Sequence, residues 1–184
     1  IVDVIDSITN FLPVTILTNG TIFNDKRLKE MERLVGKPIR LQISLDNSDP
    51  IQNDEMRGPK NFEKVLAAVP KLTAMGLHIR IATTVENQPE EDQQKLRFLV
   101  ASLNIPPEDH IIRKIVSRGR ASTEGLGVVA PIEKLSPELT ITTDGAFWSP
   151  FAPTIKAGKN QKDLLISRTI QPLTKPTKML LDYL

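Results

Sequence analysis

Polar residues of ligand-binding type recur just after the apolar runs of this chain. Asn19 and Thr21 follow residues 14–17, Ser44 and Asp46 close residues 39–45, Asn87 follows residues 78–85, and Arg118 with Arg120 follows residues 110–116. Ser44 and Asp46 stand two apart, so strand alternation turns both to one side while Ile43 and Leu45 face the other. Two polar groups facing a sheet interior are costly unless a polar ligand or a hydrogen-bond network satisfies them. Arg57 precedes Gly58-Pro59, and its planar fork suits a carboxylate such as that of an α-amino acid. Thr18-Asn19-Gly20 allows a tight reversal with close backbone approach to a ligand, and serves equally as a plain strand-to-helix turn.

Other candidates carry less. His78 and His110 begin apolar runs, away from the carboxyl ends where the rest gather, and neither is assigned a catalytic part. Gly125-Leu126-Gly127 lacks the preceding strand, the helix start and the third glycine of a phosphate-binding loop. The chain has no cysteine, which excludes disulfides, thiolate nucleophiles and cysteine-held metal clusters within these residues.

The elements that must position these groups alternate between two periods. Helical spacing marks residues 1–11, 26–35, 61–75 and 90–103, and β-branched or alternating runs mark 14–17, 39–45, 78–85 and 110–116. Residues 46–60 carry no helical stripe and read as a loop. Strand and helix in turn, with short links, predict a parallel sheet of right-handed βαβ units, either an open sheet or an arc of a barrel. In both, ligands bind beyond the carboxyl ends of the strands.

After Gly119 the pattern changes: glycine and proline increase, helical periodicity fades, and only residues 139–143 read as a strand, with Asp144-Gly145 as a turn. The expectation is therefore a domain over residues 1–121 and a small irregular C-terminal extension over 122–184.

Composition sets the remaining bounds. The chain has 184 residues, 40% of them hydrophobic and 25% charged, which is ordinary for a globular protein. A formal net charge of +2 is too small to argue for a nucleic acid or an anionic membrane as partner. The locally basic stretch 156–178 reads as a solvated tail. No apolar run nears the roughly 20 residues that span a bilayer, and no export signal is legible at residues 1–12, so a cytoplasmic protein is expected.

Taken in order, Thr18-Asn19-Gly20-Thr21, Ile43-Ser44-Leu45-Asp46, Asn53-Asp54, Arg57-Gly58, Phe62 and Arg118-Gly119-Arg120-Ala121 resemble the radical S-adenosylmethionine (SAM) enzymes over residues 14–121. The resemblance implies an α/β fold, a parallel-sheet partial (β/α) barrel fragment with a small irregular C-terminal extension. It implies SAM as cofactor, with Ser44 at the ribose or amino acid moiety, Arg57 on the carboxylate, and Asn19 and Asp46 shaping the same cavity. In the intact parent it also implies a 4Fe-4S cluster, held by a three-cysteine motif expected upstream of residue 1, which cleaves SAM reductively to a 5′-deoxyadenosyl radical.

The substrate implied is a small molecule or a peptide. Residues 140–148 are similar to the strand and Asp-Gly turn that open the extension of peptide-modifying relatives, here without cysteines. A cysteine-free chain is expected to be inactive by itself, and an exposed sheet edge to permit self-association. Two other readings predict different geometry or chemistry: a degenerate, non-catalytic α/β module that binds a partner or small ligand, and an unrelated open-sheet nucleotide binder. A barrel arc brings Asn19, Ser44 and Asp46 to one concave face, and a flat doubly wound sheet separates them.

Overall fold

The computed structural model describes residues 1–131, 134–156, 158–182 and 184. In it strands β1 (Val14–Thr18) and β2 (Ile39–Ser44) pair in parallel with Thr18 beside Ile43. Strand β3 (His78–Val85) adds to β2, with Gln42 beside Arg80 and Ser44 beside Ala82. A fourth strand, β4 (His110–Lys114), completes the order β1-β2-β3-β4.

Burial alternates along the inner strands. Ile39, Leu41 and Ile43 of β2 are buried while Arg40, Gln42 and Ser44 are half-buried. In β3, Ile79, Ile81, Thr83 and Val85 are buried while Arg80, Ala82 and Thr84 are half-buried. Since successive strand residues point to opposite sides, the sheet has one apolar and one polar face.

Helices cover the apolar face. They are α1 (Val2–Thr9), α2 (Asp25–Met31), α4 (Asn61–Ala74) and α5 (Glu90–Ser102), whereas α3 (Pro50–Arg57), in which the polar Asn53 is the buried residue, adds no side chain to that packing. Val2 and Ile5 of α1, Met31 of α2, Val65, Val69 and Leu72 of α4, and Leu96 and Val100 of α5 join the Ile39, Leu41, Ile43, Ile79 and Ile81 side chains in one core. Their spacing of three and four is what places each set on one helix stripe. Each fully buried Leu, Ile or Val contributes about 1.5–3 kcal/mol over its exposed form, so this shared face fixes which side of the sheet the helices take.

Arg40, Gln42 and Ser44 of β2 and Arg80 and Thr84 of β3 lie half-buried on the other face. A doubly wound sheet packs helices on both faces, whereas a (β/α) barrel packs them outside and keeps the other strand face within. This four-stranded parallel α/β sheet has the second arrangement, in agreement with the partial barrel expected.

One segment departs from the sequence reading. Residues 50–57 form α3 and not a loop. The Asp49 carboxylate accepts from the Gln52 amide (2.9 Å) and Pro50 occupies the first turn, so the chain carries a cap and a starter where it lacks an apolar stripe.

The chain divides into two compact units, Ile1–Arg113 and Lys114–Leu184. The second contains the short helix α6 (Arg120–Thr123), strands β5 (Thr140–Thr142) and β6 (Gly145–Phe147), the two-residue strands β7 (Ile155–Lys156) and β8 (Lys159–Asn160), strand β9 (Leu165–Ser167), and helix α7 (Thr174–Leu181). Strands β5, β6 and β9 make an antiparallel sheet, and Phe147, Leu135, Ala152 and Leu164 form a core of their own. The stretch is thus more regular than its sequence pattern suggests. Three-residue strands are too short to show alternation, and α7 begins without a side-chain cap. Among the described residues no helix is long and apolar enough to cross a membrane.

Candidate functional site

Asp46, two residues past the end of β2, is wholly buried. Stripping water from a carboxylate costs several kcal/mol unless charge and hydrogen bonds replace it. Here they do. Arg57, in the last turn of α3, donates to it through Nε and through Nη2 (3.0 Å). At the end of β3, the Thr84 amide and hydroxyl both donate to Asp46 Oδ1 (2.7 and 3.0 Å). Arg57 Nη2 also reaches Thr84 Oγ1 (2.9 Å), closing a triangle across β2, β3 and α3. The guanidinium thereby spends Nε and Nη2 and leaves Nη1 without a partner among the described residues, while 28% of its side chain stays exposed.

A chain of amides extends the network to β1. The Asp46 amide donates to Asn53 Oδ1 (3.0 Å), Asn53 Nδ2 to Asn61 Oδ1 (3.0 Å), and Asn61 Nδ2 to the Asn19 carbonyl (2.8 Å). Asn53 and Asn61 are both buried, so each amide needs these bonds. Beside them the Asp54 carboxylate accepts from the Phe62 amide (2.8 Å) and from Asn53 Nδ2 (3.3 Å). The Phe62 amide first, then Asn53 and the Lys60 and Asn61 amides, hold the Asp54 carboxyl below the ordinary carboxylate range, as expected at the start of α4. The carboxyl ends of three strands are therefore pinned to the body and last turn of α3 and to the start of α4.

Of the candidate ligand-binding residues read from the sequence, Asn19, Asp46 and Arg57 enter this frame directly and the others do not. Asn19 is exposed and turns its Oδ1 to the Thr21 amide (3.2 Å) and hydroxyl (2.8 Å), leaving its Nδ2 donor without a partner among the described residues. Gly20 follows at φ +76°, where a Cβ would lie 2.9 Å from both Ile43 Cγ2 and Val65 Cγ2, so the turn needs glycine for packing whatever it binds. Ser44 is half-buried on the polar face, and its hydroxyl has no hydrogen-bond partner among the described residues. Asp46 and Arg57 meet each other, and do not stand as separate ligand groups. Asn87 is exposed, and it is its neighbour Gln88 that donates to the Asp46 carbonyl (3.1 Å).

In the second unit Arg118 pairs with Asp163 (2.7 Å), and the Arg120 side chain lies outside the described residues. His78 pairs with Asp109 (2.6 Å) at the start of β3. The His110 ring meets Thr83 Oγ1 (2.9 Å), on the core side of β3, and burial lowers its pKa, with Arg97 adding to the effect.

Thr84, Gln88 and Asn61 were not read from the sequence as site residues. Thr84 could have been found by parity, since it shares the face of Arg80 and Ala82, one step beyond the residue that pairs with Ser44. Nothing in the sequence marks Gln88.

Two groups implied by the resemblance test differently against these residues. An iron–sulfur cluster does not fit them: there is no cysteine, and among the described residues no group of three His, Asp or Glu is placed to hold a metal. For an adenosyl ligand with an amino acid end the chemistry of the donor set is suitable, since the Ser44 hydroxyl, the Asn19 Nδ2 and the Arg57 Nη1 are polar groups left unspent among the described residues.

Against solved structures, the chain resembles the crystal structure of Streptococcus suis SuiB bound to S-adenosylmethionine, at 16% identity and a TM-score of 0.52, over 61% of this chain and 26% of that one. A second SuiB structure, bound to the precursor peptide SuiA, gives 17% identity, a TM-score of 0.49, and 61% and 24% coverage. At such identity the first likeness is one of fold, and the chain spans about a quarter of SuiB's length. No curated protein sequence matches it. The model of the radical SAM superfamily matches residues 2–100, from α1 into α5, and on that match the chain belongs to the radical SAM superfamily.

Proposed function

We propose that the unit Ile1–Arg113 forms one wall of a SAM site in a radical SAM enzyme, with the ligand laid along the carboxyl ends of β1, β2 and β3. The observation that carries this reading is the unspent Ser44 hydroxyl beside a fully satisfied Asp46. Strand ends are where ligands settle on such sheets, and a free hydroxyl next to a locked ion pair is a ready hydrogen-bond partner.

In this proposal Ser44 contacts the ribose or amino acid moiety and Asn19 donates from the turn after β1. Arg57 offers Nη1 to the ligand carboxylate, while Asp46 and Thr84 hold its plane in one orientation. Arg57 is thus aimed by Asp46, and the pair's near-neutral charge keeps its attraction for an anion modest. The bound SAM would supply the adenosyl group, and the substrate, a small molecule or a peptide, approaches over the same face. No step of SAM cleavage is assigned to these residues, because they cannot hold the cluster.

Titration of the ¹⁵N-labelled chain with SAM tests this. Binding in the millimolar range is expected, with shifts centred on residues 19–21, 44–46, 57 and 84, and with Ser44→Ala weakening it about threefold to tenfold. Shifts confined to the second unit, or no saturable shift, would overturn the reading.

A further inference from the structure

The polar face of the sheet carries a second set of unspent groups, at the opposite end of the strands from Ser44. Arg40 of β2 and Arg80 of β3 point to this face, both half-buried, and in each the Nε atom is buried without a hydrogen-bond partner among the described residues. The register sets Gln42 beside Arg80 and Arg40 beside His78, so the two arginines are diagonal neighbours with Gln42 between them. Strands about 4.8 Å apart and residues about 3.3 Å apart along them put diagonal positions roughly 8 Å from each other, a separation two guanidinium groups can bridge onto one anion.

Anion supply on this face is short. Arg80 has Asp109 Oδ1 at 3.5 Å from Nε, an ion pair without a hydrogen bond, and the other oxygen of Asp109 is taken by His78 Nε2 at 2.6 Å. Arg40 has no acidic partner among the described residues. Asp46, farther along, is saturated by Arg57 and Thr84. Nearly all buried polar groups in folded proteins are satisfied, so two guanidinium nitrogens without a hydrogen bond on adjacent strands call for an acceptor that the described residues do not provide.

We infer that Arg40, Gln42 and Arg80 form a carboxylate-binding site on the polar face, and that it receives an acidic group of the substrate. Its link to a substrate rests on the SAM reading, because Arg40, Gln42 and Ser44 are successive positions on one side of β2, and Gln42 is one repeat, roughly 7 Å, from Ser44. A substrate anchored by its carboxylate at Arg40 and Arg80 would then reach toward the ligand at Ser44 without a turn of the sheet between them. The carboxylate belongs either to a glutamate side chain in a peptide or to a free dicarboxylate.

The test uses the full chain without SAM. The ¹⁵N-labelled protein is titrated with N-acetyl-glutamate N-methylamide, with glutarate, and with the glutamine counterpart as the uncharged control. Saturable shifts at residues 39–42 and 79–82 are expected, at least about tenfold weaker for the glutamine compound and weakened by salt. The glutamate compound binding more tightly than glutarate assigns a peptide source, and the reverse a free acid. Arg40→Gln should reduce the affinity about tenfold, with Arg40→Lys in between.

Equal binding of the glutamine compound, shifts elsewhere, or an unchanged Arg40→Gln affinity would overturn the inference. The wild-type comparison needs no variant to fold. Because SAM is absent, failure here leaves the SAM reading intact, and a failed SAM titration leaves the carboxylate site standing.

Discussion

Removing the Arg57 side chain tests how much the ion pair contributes to holding Asp46. Arg57→Ala takes two hydrogen bonds from a carboxylate with no solvent exposure and leaves it only the Thr84 amide and hydroxyl. Breaking a buried ion pair from one side costs about 3–5 kcal/mol. Exposure of 28% of the arginine and the two surviving Thr84 bonds lower the figure, to about 2–3 kcal/mol. With a urea slope of about 1–1.5 kcal/mol per molar for a unit of this size, the midpoint should fall by about 2 M.

Methyl signals of Ile43 and Ile81, both wholly buried under the site, report this unit separately from the second. The cause, a stranded charge, makes a further demand: Asp46→Asn combined with Arg57→Ala should be more stable than Arg57→Ala alone. A midpoint shift below about 0.5 M, or a double variant as weak as the sum of the singles, would refute the reasoning. Arg57→Lys keeps the charge but loses the fork, and should fall between wild type and Arg57→Ala.

Gly20→Ala should destabilise the chain by about 2–4 kcal/mol, from a left-handed backbone and a Cβ forced against Ile43 and Val65 at 2.9 Å. Thermal unfolding checks it, and a loss under about 1 kcal/mol would mean that the turn shifts freely. His110 should titrate below the ordinary histidine value of about 6.5 because burial, then Arg97, disfavour its charged form. Its contribution to stability is present above the unfolded pKa and is lost as pH falls through the folded one. Thr83 spends its only proton on the Leu45 carbonyl (2.7 Å), so its oxygen must accept from His110, and ring ¹⁵N shifts should show the Nε2–H tautomer at neutral pH.

Much of the first unit is legible because its signals are local. Alternation in residues 39–44 and 78–85 and the three-four spacing of Val65, Val69 and Leu72 report burial directly. Helix α3 escaped because its evidence lies in Asp49 and Pro50 and not in an apolar stripe. The site was legible by position and not by partnership. Ser44 and Asp46 stand out at a strand end, but that Asp46 would claim Arg57, eleven residues on, depends on α3 turning back over β2. Thr84 and Gln88 lie 38 and 42 residues from Asp46 and enter only through sheet register. In the second unit the strands are three residues or fewer, below the length at which a period of two can be read.

The sheet's two-sidedness divides labour along a single strand. Odd-numbered positions of β2 are buried in the core, and even-numbered positions stand half-buried on the opposite face. Positions 40, 42, 80 and 82 can therefore change chemistry without repacking the core, so a sheet of this kind can vary its polar face while its folding stability stays nearly constant.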